Sequence, residues 1–250
     1  MLKSGRYFLF SLLISVYARS EIIAQATASD SARIRARQAE EDRIHNDWAN
    51  LQKFTRVNAE LPAPAPDEDR VVFMGNSIFE SWASYFPTQF PGKPYINRGI
   101  SGQTTPQMLV RFRQDVIDLK PRAVVILAGT NDIAGNTGPS TLEMIEGNIT
   151  SMVELAKGNG IRVVLASVLP AFSYRWKPSV QPAPIIVALN QWIRSYAEQN
   201  GIVYLDLHTP MADERMGMRS EFTGDGVHPN EAGYSVMAPL TEAAIRQALR

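Results

Sequence analysis

Four short segments carry polar groups whose types and spacing suit acyl transfer. They are Gly75-Asn76-Ser77, Gly99-Ile100-Ser101-Gly102-Gln103-Thr104-Thr105, Gly129-Thr130-Asn131-Asp132 and Gly224-Asp225-Gly226-Val227-His228-Pro229-Asn230. Together they supply a hydroxyl, a glycine that bares its backbone, a carboxamide and an Asp-x-x-His pair. A serine hydroxyl is a weak nucleophile until a base takes its proton. His228 can be that base, provided an acceptor on its other ring nitrogen fixes the tautomer. Asp225 lies three residues away on a turn bounded by Gly and Pro, so one loop can carry both base and orienter. The tetrahedral intermediate bears an oxyanion, which needs donors already in place. The backbone N–H of Ser77, the backbone N–H of Gly102 and the side-chain amide of Asn131 are the candidates. The missing Cβ at Gly102 lets backbone approach a substrate closely.

Composition removes several other chemistries. The 250 residues include no Cys, which excludes thiol catalysis, Cys-ligated zinc, iron–sulfur clusters and disulfides. Only His45, His208 and His228 are available, without metal-ligand spacing, so a metal centre is poorly supplied. Lys+Arg and Asp+Glu both number 25, so no basic excess exists to neutralise phosphates, and a nucleic-acid partner is not expected.

The elements that must hold the four segments can be read from hydrophobic periodicity. Residues 70–74, 123–128, 161–167 and 202–205 are short, β-branched apolar runs, with 95–98 as a weaker fifth. Strands covered on both faces read this way in parallel sheets. Between them lie helical patterns. One is capped at Thr105 with Pro106 at its first position, its stripe being Met108, Leu109, Phe112, Val116 and Leu119. A second opens at a capping box, Ser140-Thr141-Leu142-Glu143. A third spans 184–199, and a fourth spans 231–249 with Pro239 inside. The alternation predicts a three-layer α/β/α sandwich around a five-stranded parallel sheet. In such sheets ligands bind beyond the carboxyl ends of the strands, which is where the polar segments stand.

The N-terminus has a different organisation. Lys3 and Arg6 precede an apolar run from Tyr7 to Tyr17, followed by Ala24-Gln25-Ala26, the pattern of a secretory signal peptide. The expected organisation is a signal peptide over 1–26, an N-terminal helix and Pro-rich linker over 27–66, and a catalytic domain over 67–250. Cleavage near Ala26 would export the chain to the periplasm or medium. The apolar run is too short to span a bilayer, so no stable membrane span is expected. Residues 29–58 read as a polar helix that docks one face through Ile44, Trp48, Leu51 and Phe54. A homo-oligomer stays open.

The four blocks resemble those of the SGNH hydrolases, or GDSL esterase/lipase family, in the family's order across residues 70–250. Its nucleophile block resembles Met74-Gly75-Asn76-Ser77-Ile78, its glycine block 97–105, its asparagine block 129–132, and its Asp-x-x-His block Asp225 to His228. The resemblance implies Ser77 as nucleophile, Gly102 and Asn131 as oxyanion donors beside the Ser77 N–H, and Asp225 and His228 completing the triad. It also implies a flavodoxin-like fold without cofactor. One departure is Asn76, where the family commonly has Asp. Asn keeps hydrogen bonds there but loses a charge.

Other residues compete for attention. Asp206 and His208 form a rival pair after the last strand, read here as structural, and His45 as solvated. Asp132 reads as a cap acceptor. Trp82, Tyr174 and Trp176 are candidate substrate-binding residues, the last two in a Pro-rich loop at 170–184. No long insertion exists to form a lid over a fatty-acyl groove. The expected substrate is therefore a short acyl ester, such as acetyl, on a carbohydrate or other small polar alcohol. The alternative is a carbohydrate- or surface-binding module on the same fold with weak or no turnover. An intact Ser77, Asp225 and His228 set favours the enzyme.

Overall fold

The computed structural model describes residues 30–39, 41–42 and 44–250. The expected signal peptide and its cleavage site lie outside the described residues. Contacts divide the chain into two units, Met1–Asn50 and Leu51–Arg250.

In the first unit the described residues from 30 to 46 are helical. The helix gives way to a turn over 47–50, and Asn50 takes a left-handed φ of 55°. The single helix expected over 29–58 is therefore interrupted, because a side-chain-bearing residue at positive φ cannot continue a right-handed helix.

The second unit holds a sheet of five parallel strands: β1 Val71–Gly75, β2 Tyr95–Gly99, β3 Ala123–Leu127, β4 Arg162–Ala166 and β5 Val203–Leu205. Their spatial order is β2-β1-β3-β4-β5. Every pairing is parallel, with Gly75 opposite Gly99 on one side and Leu127 on the other. The helices packed on the two faces of the sheet include α1 Ser77–Trp82, α2 Thr105–Asp115, α3 Leu142–Gly158, α4 Pro182–Gln199 and α5 Glu231–Ala248.

Strand alternation sorts the core into two layers. Val72, Met74, Val124, Ile126, Val163 and Leu165 face α2, α3 and α4 through residues such as Met108, Phe112, Ile149, Met152 and Leu189. Val71, Phe73, Val125, Leu127 and Val164 face α1 and α5 through Phe79, Trp82, Tyr234, Met237 and Ile245. β1 and β3 are buried at every position, as strands covered on both faces must be. The three-layer α/β/α sandwich expected from the sequence is the observed architecture. Strand order reverses between β1 and β3, and the crevice at that switch point is where such sheets take ligands.

The helix starts differ by one residue from expectation. Thr104, not Thr105, caps α2. The Gln107 side-chain oxygen Oε1 accepts from the Thr104 N–H at 3.1 Å, the reciprocal half of a capping box. Thr141, not Ser140, caps α3, its hydroxyl accepting from the Met144 N–H at 3.3 Å. Pro239 sits on the exposed side of α5, as does Ser235, four residues earlier, whose carbonyl receives no N–H from the proline. The compact unit also takes in residues upstream of 67. The Asn58 amide donates to Asp115 Oδ1 at 2.8 Å and its oxygen accepts from the Arg98 guanidinium at 2.6 Å. Arg98 in turn lies 4.6 Å from the Phe54 ring centroid. Among the described residues no helix is long and apolar enough to cross a membrane.

Candidate active site

Ser77 is the first residue of α1, immediately after β1 ends at Gly75. Between them Asn76 is extended (φ −105°, ψ −151°), and its side-chain oxygen accepts from the Ile78 N–H at 3.0 Å. That cap uses an Asn oxygen where the family's usual Asp would offer a carboxylate. It leaves the Ser77 N–H among the donors with no partner inside the helix. Two glycines permit the turn's tight packing. A Cβ on Gly75 would lie 2.7 Å from the Phe79 ring. A Cβ on Gly99 would lie 2.8 Å from the Asn76 carbonyl oxygen and 2.7 Å from the Phe79 carbonyl carbon. Behind the turn, the Tyr234 hydroxyl donates to the Ile78 carbonyl at 2.8 Å and its ring stacks on Trp82 at 5.4 Å, tying α1 to α5.

The loop before α5 brings the base. Asn230 closes its foot by donating its backbone N–H to the Phe222 carbonyl at 2.8 Å, and it caps α5 through Gly233. Gly226 turns the loop at φ 86°. Within it Asp225 Oδ1 accepts from the backbone N–H groups of Val227 (2.9 Å) and His228 (2.8 Å), while Oδ2 lies 2.7 Å from His228 Nδ1. Burial works to raise the Asp225 carboxyl. It is outweighed by the backbone and ring donors of His228 and by the Val227 N–H, which hold it down at about 2. The carboxylate is then an acceptor only, so His228 Nδ1 carries the proton and Nε2 is left bare. His228 Nε2 stands 2.9 Å from Ser77 Oγ, across 151 residues of sequence. The arrangement can draw a proton from a serine hydroxyl while fixing the ring that takes it.

The second- and third-strand loops meet beside it. Gly102 has φ 76°, a left-handed conformation strained for any side chain, and lies exposed. This adds a backbone reason for glycine to the close-approach argument. Asn131 is buried and donates from Nδ2 to the Gln103 carbonyl at 2.9 Å, using one of its two N–H groups. The structure thus brings Ser77, Asp225 and His228 together, with Gly102 and Asn131 on loops joined to each other.

The aromatic candidates part ways. Trp82 is wholly buried within the core behind α1, its indole donating to Gln89 at 2.6 Å, and it does not reach the site. Tyr174 is also fully buried. Trp176, stacked on it at 4.9 Å, is 46% exposed and remains a surface group. His208 Nε2 is buried without a hydrogen-bond partner. Asp206 accepts from the Thr209 N–H at 2.9 Å, a local turn contact.

Three organising residues escaped the sequence reading. Arg111 is fully buried and donates to the carbonyls of Gly75 (3.0 Å) and Arg98 (2.8 Å), to Gln103 and to Asp115. It gathers the ends of β1 and β2. Its signal was a lone cation on the apolar stripe of α2, with Asp115 one turn on. Glu80 on α1 accepts from the Ser101 N–H at 2.7 Å, fastening the glycine loop to the helix that starts at Ser77. Asn136 links Asn131 to its surroundings and has no sequence signal.

Asp132 sits behind the loops, accepting from the Thr105 N–H at 2.9 Å and the Thr105 hydroxyl at 2.6 Å. Burial raises its carboxyl from the ordinary 3.8 to about 6, against the lowering effect of the Thr105 donors. A raised acid holds its proton more tightly in the folded state. Stability is therefore lost as pH rises from 3.8 through about 6 and stays lost above. At ~1.4 kcal/mol per pKa unit the ionised group costs about 3 kcal/mol at neutral pH. Asp132→Asn should gain about that much on the wild type between pH 4 and pH 7, in urea unfolding. A difference that stays constant over that range would show that Asp132 does not titrate there.

Residues 72–236 match the model of the GDSL-like lipase/acylhydrolase family. A solved structure from Bacteroides fragilis, provisionally named an acylhydrolase, is 50% identical with a TM-score of 0.80, over 82% of this chain and 100% of that one. A GDSL-like lipase from Bacteroides thetaiotaomicron is 47% identical with a TM-score of 0.79, over 81% of this chain and 100% of that one. An acetylxylan esterase from Xylanibacter ruminicola is 29% identical over 231 residues, 78% of this chain and 47% of the relative. The chain thus spans about half the length of that curated relative. With the strand order, the family match over more than half of the sequence and these neighbours in agreement, the chain belongs to the GDSL-like lipase/acylhydrolase family, the SGNH hydrolases.

Proposed function

We propose that this protein is an exported serine esterase that removes short acyl groups, acetyl above all, from a carbohydrate or similar polar alcohol. The observation that carries the reading is the relay from Ser77 Oγ to His228 Nε2 at 2.9 Å and from His228 Nδ1 to Asp225 Oδ2 at 2.7 Å. Ser77 Oγ attacks the ester carbonyl as His228 takes its proton. The oxyanion is met by the Ser77 N–H, the Gly102 N–H and the second N–H of Asn131. Collapse expels the alcohol, which receives the proton from His228. Water, activated by the same ring, then releases the acid from the acyl-enzyme. Asp225 stays ionised throughout and steadies the imidazolium.

Support for a short acyl group comes from the exposed loops and from the acetylxylan esterase relative. The exposed rings of Trp176 and Phe172, on the loop after β4, suit apolar sugar faces. Export rests on the N-terminal charge and apolar pattern. The test is a p-nitrophenyl ester series from acetate to palmitate, followed by acetylated xylo-oligosaccharides. kcat/KM should peak at acetate, and the oligosaccharides should lose acetyl groups. A peak at long chains would overturn the short-acyl claim. Acetate turnover without oligosaccharide turnover would remove the carbohydrate. No hydrolysis and no fluorophosphonate adduct on Ser77 would leave the binding-module reading.

A further inference from the structure

We propose that Asn136 is a positioning residue for this site: it sets which way the Asn131 amide faces and ties the Gly102 loop to it. The proposal rests on the reading of Asn131 as an oxyanion donor. A carboxamide has two nearly equal-sized ends, one donor and one acceptor, and a flip would exchange them. In Asn131 a flip would set an oxygen against the Gln103 carbonyl and swing the donor away. What prevents it is a directional chain of hydrogen bonds. The chain starts at the Trp176 indole, which can only donate, and reaches Asn136 Oδ1 at 3.2 Å. That turns Asn136 Nδ2 the other way, where it donates to Asn131 Oδ1 at 3.0 Å and to the Gly102 carbonyl at 3.3 Å. Asn131 Nδ2 then donates to the Gln103 carbonyl at 2.9 Å, a group that can only accept. With a pure donor at one end and a pure acceptor at the other, only one orientation of each amide satisfies every bond.

The backbone is built around the same contact. The Asn136 N–H donates to the Asn131 carbonyl at 3.0 Å, in a turn that Gly135 and Gly138 shape with φ of 70° and 113°. Next to it the hydroxyls of Thr137 and Thr104 lie 3.0 Å apart. The 135–138 turn therefore clamps the loop after β3 onto the loop after β2. Asn136 is exposed, so its replacement opens no core, unlike that of Arg111 or Gln103. Trp176, the origin of the chain, is half-exposed, so a substrate resting on its ring would bear on the orientation of Asn131.

The experiment is steady-state hydrolysis of p-nitrophenyl acetate by the full chain, as wild type, Asn136→Ala, Asn136→Asp, Asn131→Ala and the double alanine variant. Asn136→Ala should lower kcat about tenfold, leave KM within about twofold, and keep the pH profile. Asn136→Asp retains an acceptor for Trp176 but has no N–H for Asn131, so it should lose at least as much. In the Asn131→Ala background, Asn136→Ala should change kcat by less than about twofold, since two residues acting through one contact are not additive. Full kcat in Asn136→Ala overturns the proposal. So does the same tenfold loss with and without Asn131, the mark of a merely structural role. A wild type inactive on every ester would overturn the esterase reading itself, and this proposal with it.

Discussion

Ser77→Ala should fold as the wild type does and lose ester hydrolysis by about 10⁴-fold or more in kcat, the scale of nucleophile removal in a triad. The fold should survive because the change deletes one half-buried oxygen at the first position of α1. The Asn76 cap, the Phe79 packing and the Tyr234 bond to Ile78 do not involve it. Alanine is also a good helix former. What disappears is the one hydroxyl 2.9 Å from His228 Nε2. Residual turnover would come from the oxyanion donors and from substrate binding. The measurement is p-nitrophenyl acetate turnover beside a thermal melt. A well-folded Ser77→Ala within tenfold of wild-type activity would remove Ser77 from the mechanism.

Asn131→Ala should lower kcat about 10²- to 10³-fold with little change in KM, because the amide acts on charge that develops only in the transition state. The structure adds a second consequence. Asn131 Nδ2 also satisfies the Gln103 carbonyl, and its oxygen receives Asn136. Truncation removes both bonds at a cost of about 1–3 kcal/mol, which a melt will register as a lower Tm. Asn131→Asp keeps size and the acceptor for Asn136 but offers a donor neither to the oxyanion nor to the Gln103 carbonyl. Its kcat should fall at least as far as that of Asn131→Ala. If KM rises strongly in either variant while kcat holds, Asn131 binds substrate rather than the transition state.

How far the sequence reaches depends on the distance over which each feature is encoded. β1 and β3 were legible because burial on both faces demands an unbroken apolar run, which is a local property. Helix starts were legible only to within a residue. Adjacent hydroxyls such as Thr104 and Thr105 both qualify as caps, and only the backbone geometry chooses between them. The Asp225 and His228 contact was legible because both residues sit on one short loop. Aromatic residues misled for the opposite reason. An indole or phenol advertises apolar area but not direction, so Trp82 and Tyr174 read as candidate pocket residues although the packing buries both.

By itself, then, the sequence determined the element order, the parallel sheet and the polar groups at the ends of β1, β2 and β3, since periodicity and turn chemistry are written in neighbouring residues. Tertiary structure alone decided which groups touch. The order β2-β1-β3 sets three strand-end loops side by side, and α5 delivers the loop that carries His228 to Ser77. Arg111 can gather the Gly75 and Arg98 carbonyls only because both strands end over α2. The facing of Asn131 follows from a chain of bonds through Asn136 to Trp176, 40 residues further on. A hydrogen bond has direction in space, and no local pattern records the direction of a partner that distant folding brings into reach.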